Sequence, residues 1–119
     1  MTSRRRRKAK RGRPRLSTAR LDRLVEEAIV DCDNESDQAT GLYTMIENNL
    51  ALPFESTVLG VTVIVERVDL TQRDEIVAVC RRAGARVRQT ISIIDLPLPS
   101  PKPAGAEWID AYRHWLRGA

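Results

Sequence analysis

The stretch Asp31–Asp37, "DCDNESD", carries the densest coordinating chemistry in the chain. Asp31, Asp33, Glu35 and Asp37 stand at every second position, and Asn34 and Ser36 add oxygen atoms between them. A hard cation such as calcium takes about six to eight oxygen ligands, mainly carboxylates and carbonyls, so a short acidic loop between two elements suits it. Counting Asp31 as the first position of an EF-hand loop puts Asp33, Glu35 and Asp37 where that loop needs them. The loop also requires a glycine sixth and a bidentate glutamate twelfth. Ser36 and Leu42 stand there instead, so this is not an EF-hand. Any cation would need more oxygens, from Glu47 further along or from Glu26 and Glu27 before the loop. The same residues also read as a helix start. Asn34 as N-cap, with Glu35, Ser36 and Asp37 in the first turn, satisfies free N–H groups and favours the helix dipole. The two readings are compatible, because capping carboxylates can also face a cation.

Two helices must position this loop. Leu21, Leu24, Val25, Ala28 and Ile29 recur at helical spacing, with Ser17 as a fair N-cap and Leu16 and Leu21 placed as a hydrophobic staple. A second helix fits residues 35–49, where Ala39, Leu42, Met45, Ile46 and Leu50 share a face. Gly41 inside it counts against helix formation. From Glu55 the texture turns β-branched, in "STVLGVTVIVERVDL", "DEIVAVC" and "RVRQTISIID". Gly60 suggests a break or bulge, and Gly84 in "RRAGA" suits a hairpin turn. Val77, Val79, Val87, Thr90 or Ile91, and Ile93 can supply a core face. This predicts three to five antiparallel strands curled into a small barrel-like sheet. "DLPLPSPKPAG" reads as a stiff, extended connector. "AEWIDAYRHWL" then reads as a closing helix whose Trp108, Tyr112, Trp115 and Leu116 pack on the sheet or on the first helices. The expected fold class is α+β.

Charge is divided sharply. Residues 1–20 hold eight Arg and two Lys and no acid, so +10; the rest of the chain, with ten bases and all 16 acids, carries −6. Residues 21–55 alone hold nine acids against one base, Arg23. Such crowding of like charge is destabilising, and a cation or a basic partner would relieve it. Residues 1–16 contain too little apolar surface to fold and are expected to form a disordered basic tail, with residues 17–119 as a single domain. Within the tail, Arg11, Gly12, Arg13 and Pro14 resemble the core of an AT-hook. There a glycine lets the backbone approach the groove floor, a proline keeps it extended, and two arginines reach along the narrow minor groove of A/T-rich DNA. General attraction to nucleic acid through residues 4–15 is the stronger reading, and the alternative without nucleic acid is a solubilising tail, which could also fold back on the acidic body and compete with calcium.

The run "AIVDCDNESDQATGLYTMIENNLALPFES", together with the closing "AEWIDAYRHW", resembles the cyanobacterial-type (CcbP-like) calcium-binding proteins, over Leu21 to Trp115. The resemblance implies a small α+β protein that holds Ca2+ through surface acids without an EF-hand and without catalysis. By position, Asp31, Glu35 and Asp37 match the family's acidic cluster. Asn34 and Ser36 stand where further acids are usual, Asp33 where an aromatic is common, and Leu42 replaces the usual aromatic after the glycine. Fewer carboxylates at those places imply weaker binding, although Asp33 offers one back.

The residues themselves make no case for an enzyme. The single histidine, His114, lies in a closing-helix context that suits packing. Cys32 sits between two carboxylates, poor surroundings for a thiolate nucleophile, and Cys80 ends an apolar strand. Phosphate-binding glycine loops and H-E-x-x-H are absent from the sequence. Two distant cysteines form neither a disulfide framework nor a zinc pattern, which points to reduced thiols and a cytoplasmic protein.

Overall fold

The computed structural model describes residues 16–118. Helix α1 spans Thr18–Ile29 and α2 spans Glu35–Asn49. Both start where the capping chemistry placed them. Ser17 Oγ accepts from the backbone N–H of Arg20 at 3.1 Å, and Asn34 Oδ1 accepts from that of Asp37 at 2.8 Å. Leu24, Val25 and Ala28 of α1 and Ala39, Leu42 and Ile46 of α2 are buried.

Gly41 is no weak point. A Cβ there would lie 2.3 Å from the carbonyl oxygen of Ala28, so only glycine lets the two helix backbones approach this closely. The local propensity cost is outweighed by helix packing, which is what the helical spacing alone could not reveal.

Four strands follow: β1 Phe54–Val58, β2 Val61–Leu70, β3 Ile76–Arg82 and β4 Arg88–Ser92. They form an antiparallel meander in the order β1-β2-β3-β4. This sheet is open rather than barrel-like. Four strands are too few to close around packed side chains, and the helices cover one face instead. Gly60 marks a break in the long β-branched run rather than a bulge. With Leu59 (φ 50°) and Gly60 (φ 78°) both left-handed, it makes a tight two-residue hairpin turn between Val58 and Val61. The bulge falls at Glu66, between the pairs Val65–Cys80 and Arg67–Val79.

That extra residue resets which side chains face the helices, from Val63 and Val65 to Val68. On β3 the core face is Ile76, Ala78 and Cys80. Val77 and Val79 are buried but lie on the opposite face, beside the Arg67, Asp69, Thr90 and Ser92 positions of the neighbouring strands. Val87, expected in the core, is 73% exposed in the β3–β4 connection before pairing begins at Arg88. Thr90 is exposed, Ile91 is half-buried against the core, and Ile93 is fully buried.

Helix α3, Glu107–Leu116, packs on α1 and α2 and buries Trp108, Ile109, Ala111 and Tyr112. Leu116, placed on its inner face by spacing, is instead exposed. Tyr112 Oη accepts from the N–H of Ile76, which ties α3 to the start of β3. The proline-rich connector is held along its length. Leu96 is buried, Ser56 Oγ donates to the Pro97 carbonyl, and Arg113 Nη2 donates to the carbonyls of Ile93 and Leu96 at 2.8 and 2.7 Å. Gly105 (φ 87°) passes so close to Asn49 that a Cβ would meet its carbonyl oxygen at 2.1 Å.

Candidate metal centre

The corner between α1 and α2 holds Asp31, Asp33, Asn34, Glu35 and Asp37, all exposed. Val30 ends α1 in an extended conformation, and Asp31 turns the chain with φ 65°, in the left-handed region that few side chains other than Asn and Asp tolerate. The backbone then closes with Cys32 N–H donating to Ile29 O at 2.9 Å. Asn34 and the first turn of α2 complete the corner.

Two helix ends set the electrostatics. The C-terminal end of α1, where the dipole is negative and cations are favoured, has no basic residue in its last turn. The N-terminal end of α2 carries Glu35 and Asp37, which its positive end stabilises. None of the corner's carboxylates forms an ion pair among the described residues. The four pairs found there are Arg81–Glu66, Arg88–Glu66, Lys102–Asp110 and His114–Asp22.

The donor set is chemically right for a hard cation: carboxylates, a hydroxyl and carbonyls, at the negative end of a helix. It is not drawn together. Among the described residues, no three carboxylate, thiol or imidazole side chains stand close enough to hold a metal ion. Asn34 spends its carbonyl oxygen as the α2 cap. Leu42, the twelfth position of the EF-hand template, is fully buried in the core, which rules out that geometry structurally as well as by sequence.

Glu47 is not brought to this corner. It lies ten residues beyond Asp37 on α2, about 15 Å along the axis at the usual helical rise. There it accepts from Tyr43 Oη at 2.8 Å. Burial and the neighbouring Glu47 and Asp69 carboxylates push the Tyr43 phenol up to about 12, so it stays a donor at neutral pH. The α1 acids Glu26 and Glu27 are exposed on the helix that enters the corner. Arg11, Gly12, Arg13 and Pro14 lie outside the described residues.

The corner touches the rest of the molecule through Gln38, the residue after Asp37. Its Oε1 accepts from Trp115 Nε1 at 3.0 Å, which joins the start of α2 to the end of α3. His114 Nε2 lies 2.8 Å from Asp22 Oδ1 and joins α3 to α1. Neither contact was foreseen from sequence, although the aromatic content of the closing helix was the available signal.

A family model described as calcium binding, of the CcbP type, matches residues 22–116. The chain belongs to this CcbP-type calcium-binding family. Two solved structures share its fold. One, described as the crystal structure of Anabaena CcbP, is 18% identical, with a TM-score of 0.65, over 89% of this chain and 95% of that one. The other, described as a calcium binding protein in the calcium-binding form, is 19% identical, with a TM-score of 0.62, over 82% of this chain and 86% of that one. No curated protein matches the chain at a significant level. In CcbP-type terms the match begins one residue after the sequence resemblance and ends one residue beyond it, so the tail falls outside the family region. No helix among the described residues is long and apolar enough to cross a membrane.

Proposed function

We propose that the chain binds Ca2+ at the α1–α2 corner through Asp31, Asp33, Glu35 and Asp37, and that it reports binding to α3. What carries the reading is four carboxylates within seven consecutive residues, with no basic partner among the described residues, at the cation-favouring end of α1, in a member of a calcium-binding family. Asn34 caps α2 and leaves those carboxylates free. Ca2+ supplies the positive charge that the corner lacks and gathers side chains that otherwise repel one another. Gathering Asp37 inward repositions the first turn of α2, and the Gln38–Trp115 hydrogen bond passes that change to α3. This linkage favours a sensor over a simple buffer. Glu47, tied to Tyr43 at the far end of α2, takes no part.

The test is calorimetric titration of the full chain with calcium in excess magnesium, beside the variant Asp31→Asn, Glu35→Gln, Asp37→Asn. Saturable heat in the first and none in the second is expected, with tryptophan emission changing in step. No saturable heat up to millimolar calcium would reduce the loop to a helix cap.

A further inference from the structure

Among the described residues, the β3–β4 hairpin is a second concentration of charge, and calcium binding makes no use of it. From Ile76 to Ile94 the chain has four arginines, Arg81, Arg82, Arg86 and Arg88, and no acid. Glu66, on the bulge of β2, is shared between two of them: Arg81 Nε and Arg88 Nε each donate to a different one of its oxygens, both at 2.6 Å. Four guanidiniums against Glu66 and Glu55, which stands in the same row on β1, leave a formal +2 (four minus two) at this end of the sheet. The clasp uses the Nε of each guanidinium and leaves Nη groups as further donors, of which Arg81 commits one to Ala85 O.

The remaining two arginines, Arg82 and Arg86, are exposed and form no ion pair among the described residues. Arg81 and Arg88 face each other across β3 and β4, so they share one face of the ribbon, while Arg82 points to the other, because side chains alternate along a strand. Gly84 turns the tip with φ 80° in open space. β4 is an edge strand whose Arg88, Gln89 and Thr90 are all exposed.

We infer that this arginine cluster at the β3–β4 end of the sheet is a contact surface for the phosphates of duplex DNA. Exposed guanidiniums gathered at one end of the sheet offer several N–H donors to phosphate oxygens, the group that recurs along a duplex backbone. A polyanion is favoured over an acidic patch on a protein because the same chain carries ten further positive charges in its first 20 residues. One long polyanion can engage two separate basic segments at once, and a local acidic patch cannot.

The experiment measures binding of the full chain to a short labelled duplex by fluorescence anisotropy, from about 50 to 200 mM salt. The wild type is set beside the double variant Arg82→Gln, Arg86→Gln. Both side chains are exposed, so the fold should persist, and circular dichroism checks it. Loss of two phosphate contacts should flatten the slope of log K against log salt by about 1.8 and weaken binding several-fold at every salt. Glu66→Gln should do the opposite and tighten binding, because it releases both clasped guanidiniums to phosphate. An unchanged slope in the double variant would assign all DNA affinity to the first 20 residues and overturn the inference. So would equal displacement by polyglutamate and by DNA at matched charge, or an effect of the double variant on self-association alone in sedimentation.

Discussion

Two regions of this small molecule treat carboxylates in opposite ways. In the sheet, Glu66 has two guanidiniums for itself. At the α1–α2 corner, four carboxylates have no basic partner among the described residues. Glu66 is neutralised by side chains from its own sheet, and the hydrogen bonds of Arg81 and Arg88 hold its carboxyl below the usual carboxylate range. No described residue balances the corner's charge. The contrast separates charge that is paired within the sheet from charge that, under the proposed function, serves a ligand.

The largest effect that could break this comparison is on calcium-dependent stability. Calcium at about 100 times its dissociation constant should add about 2.7 kcal/mol to the wild type. The Asp31, Glu35, Asp37 triple variant should lose that increment in thermal unfolding, and Glu66→Gln should keep it. If both lose it, the two regions are one system. Next comes the helix pair that frames the corner. Gly41→Ala should cost about 1–3 kcal/mol through overpacking against Ala28 O, and chemical denaturation would show it with or without calcium.

A smaller effect concerns pH. Because Glu66's carboxyl is depressed in the folded state, its contribution is present above the unfolded carboxylate value of about 4. It is lost as pH falls through the folded value. Glu66→Gln should therefore melt lower than the wild type at neutral pH, and the gap should close in acid. The smallest effect is alkaline. Tyr43 is held up to about 12 and Tyr112 is also raised, chiefly by burial, so neither of the chain's two tyrosines should ionise near 10 in an absorbance titration. Stability should decline as pH rises past about 10, where the unfolded chain releases phenolic protons that the folded one retains.

The helices and their caps were legible because they are local. Ser17 and Asn34 bond to N–H groups three residues on, and the apolar faces of α1 and α2 repeat at a fixed period. The strand phase was harder to read. Val77 and Val79 suit a core strand by type as well as Ile76, Ala78 and Cys80 do, and only pairing with β2 past the bulge decides which set meets the helices. The acidic corner was visible because its residues are consecutive. The Glu66 clasp was not, because "RRAGARVR" reads as a turn with charges until β2 is laid beside it.

By itself, then, the sequence determined the three helices, the α+β class, the acidic loop and its failure as an EF-hand, since each depends on residues within one or two turns of one another. Tertiary structure alone decided what lies far apart in the chain. Gly41 became the place where helices touch, and Glu47 was committed to Tyr43 rather than to the corner. The sheet stayed open, and the arginines of the hairpin gathered around one glutamate. Such contacts depend on register and packing across tens of residues, which no local pattern of residue types encodes.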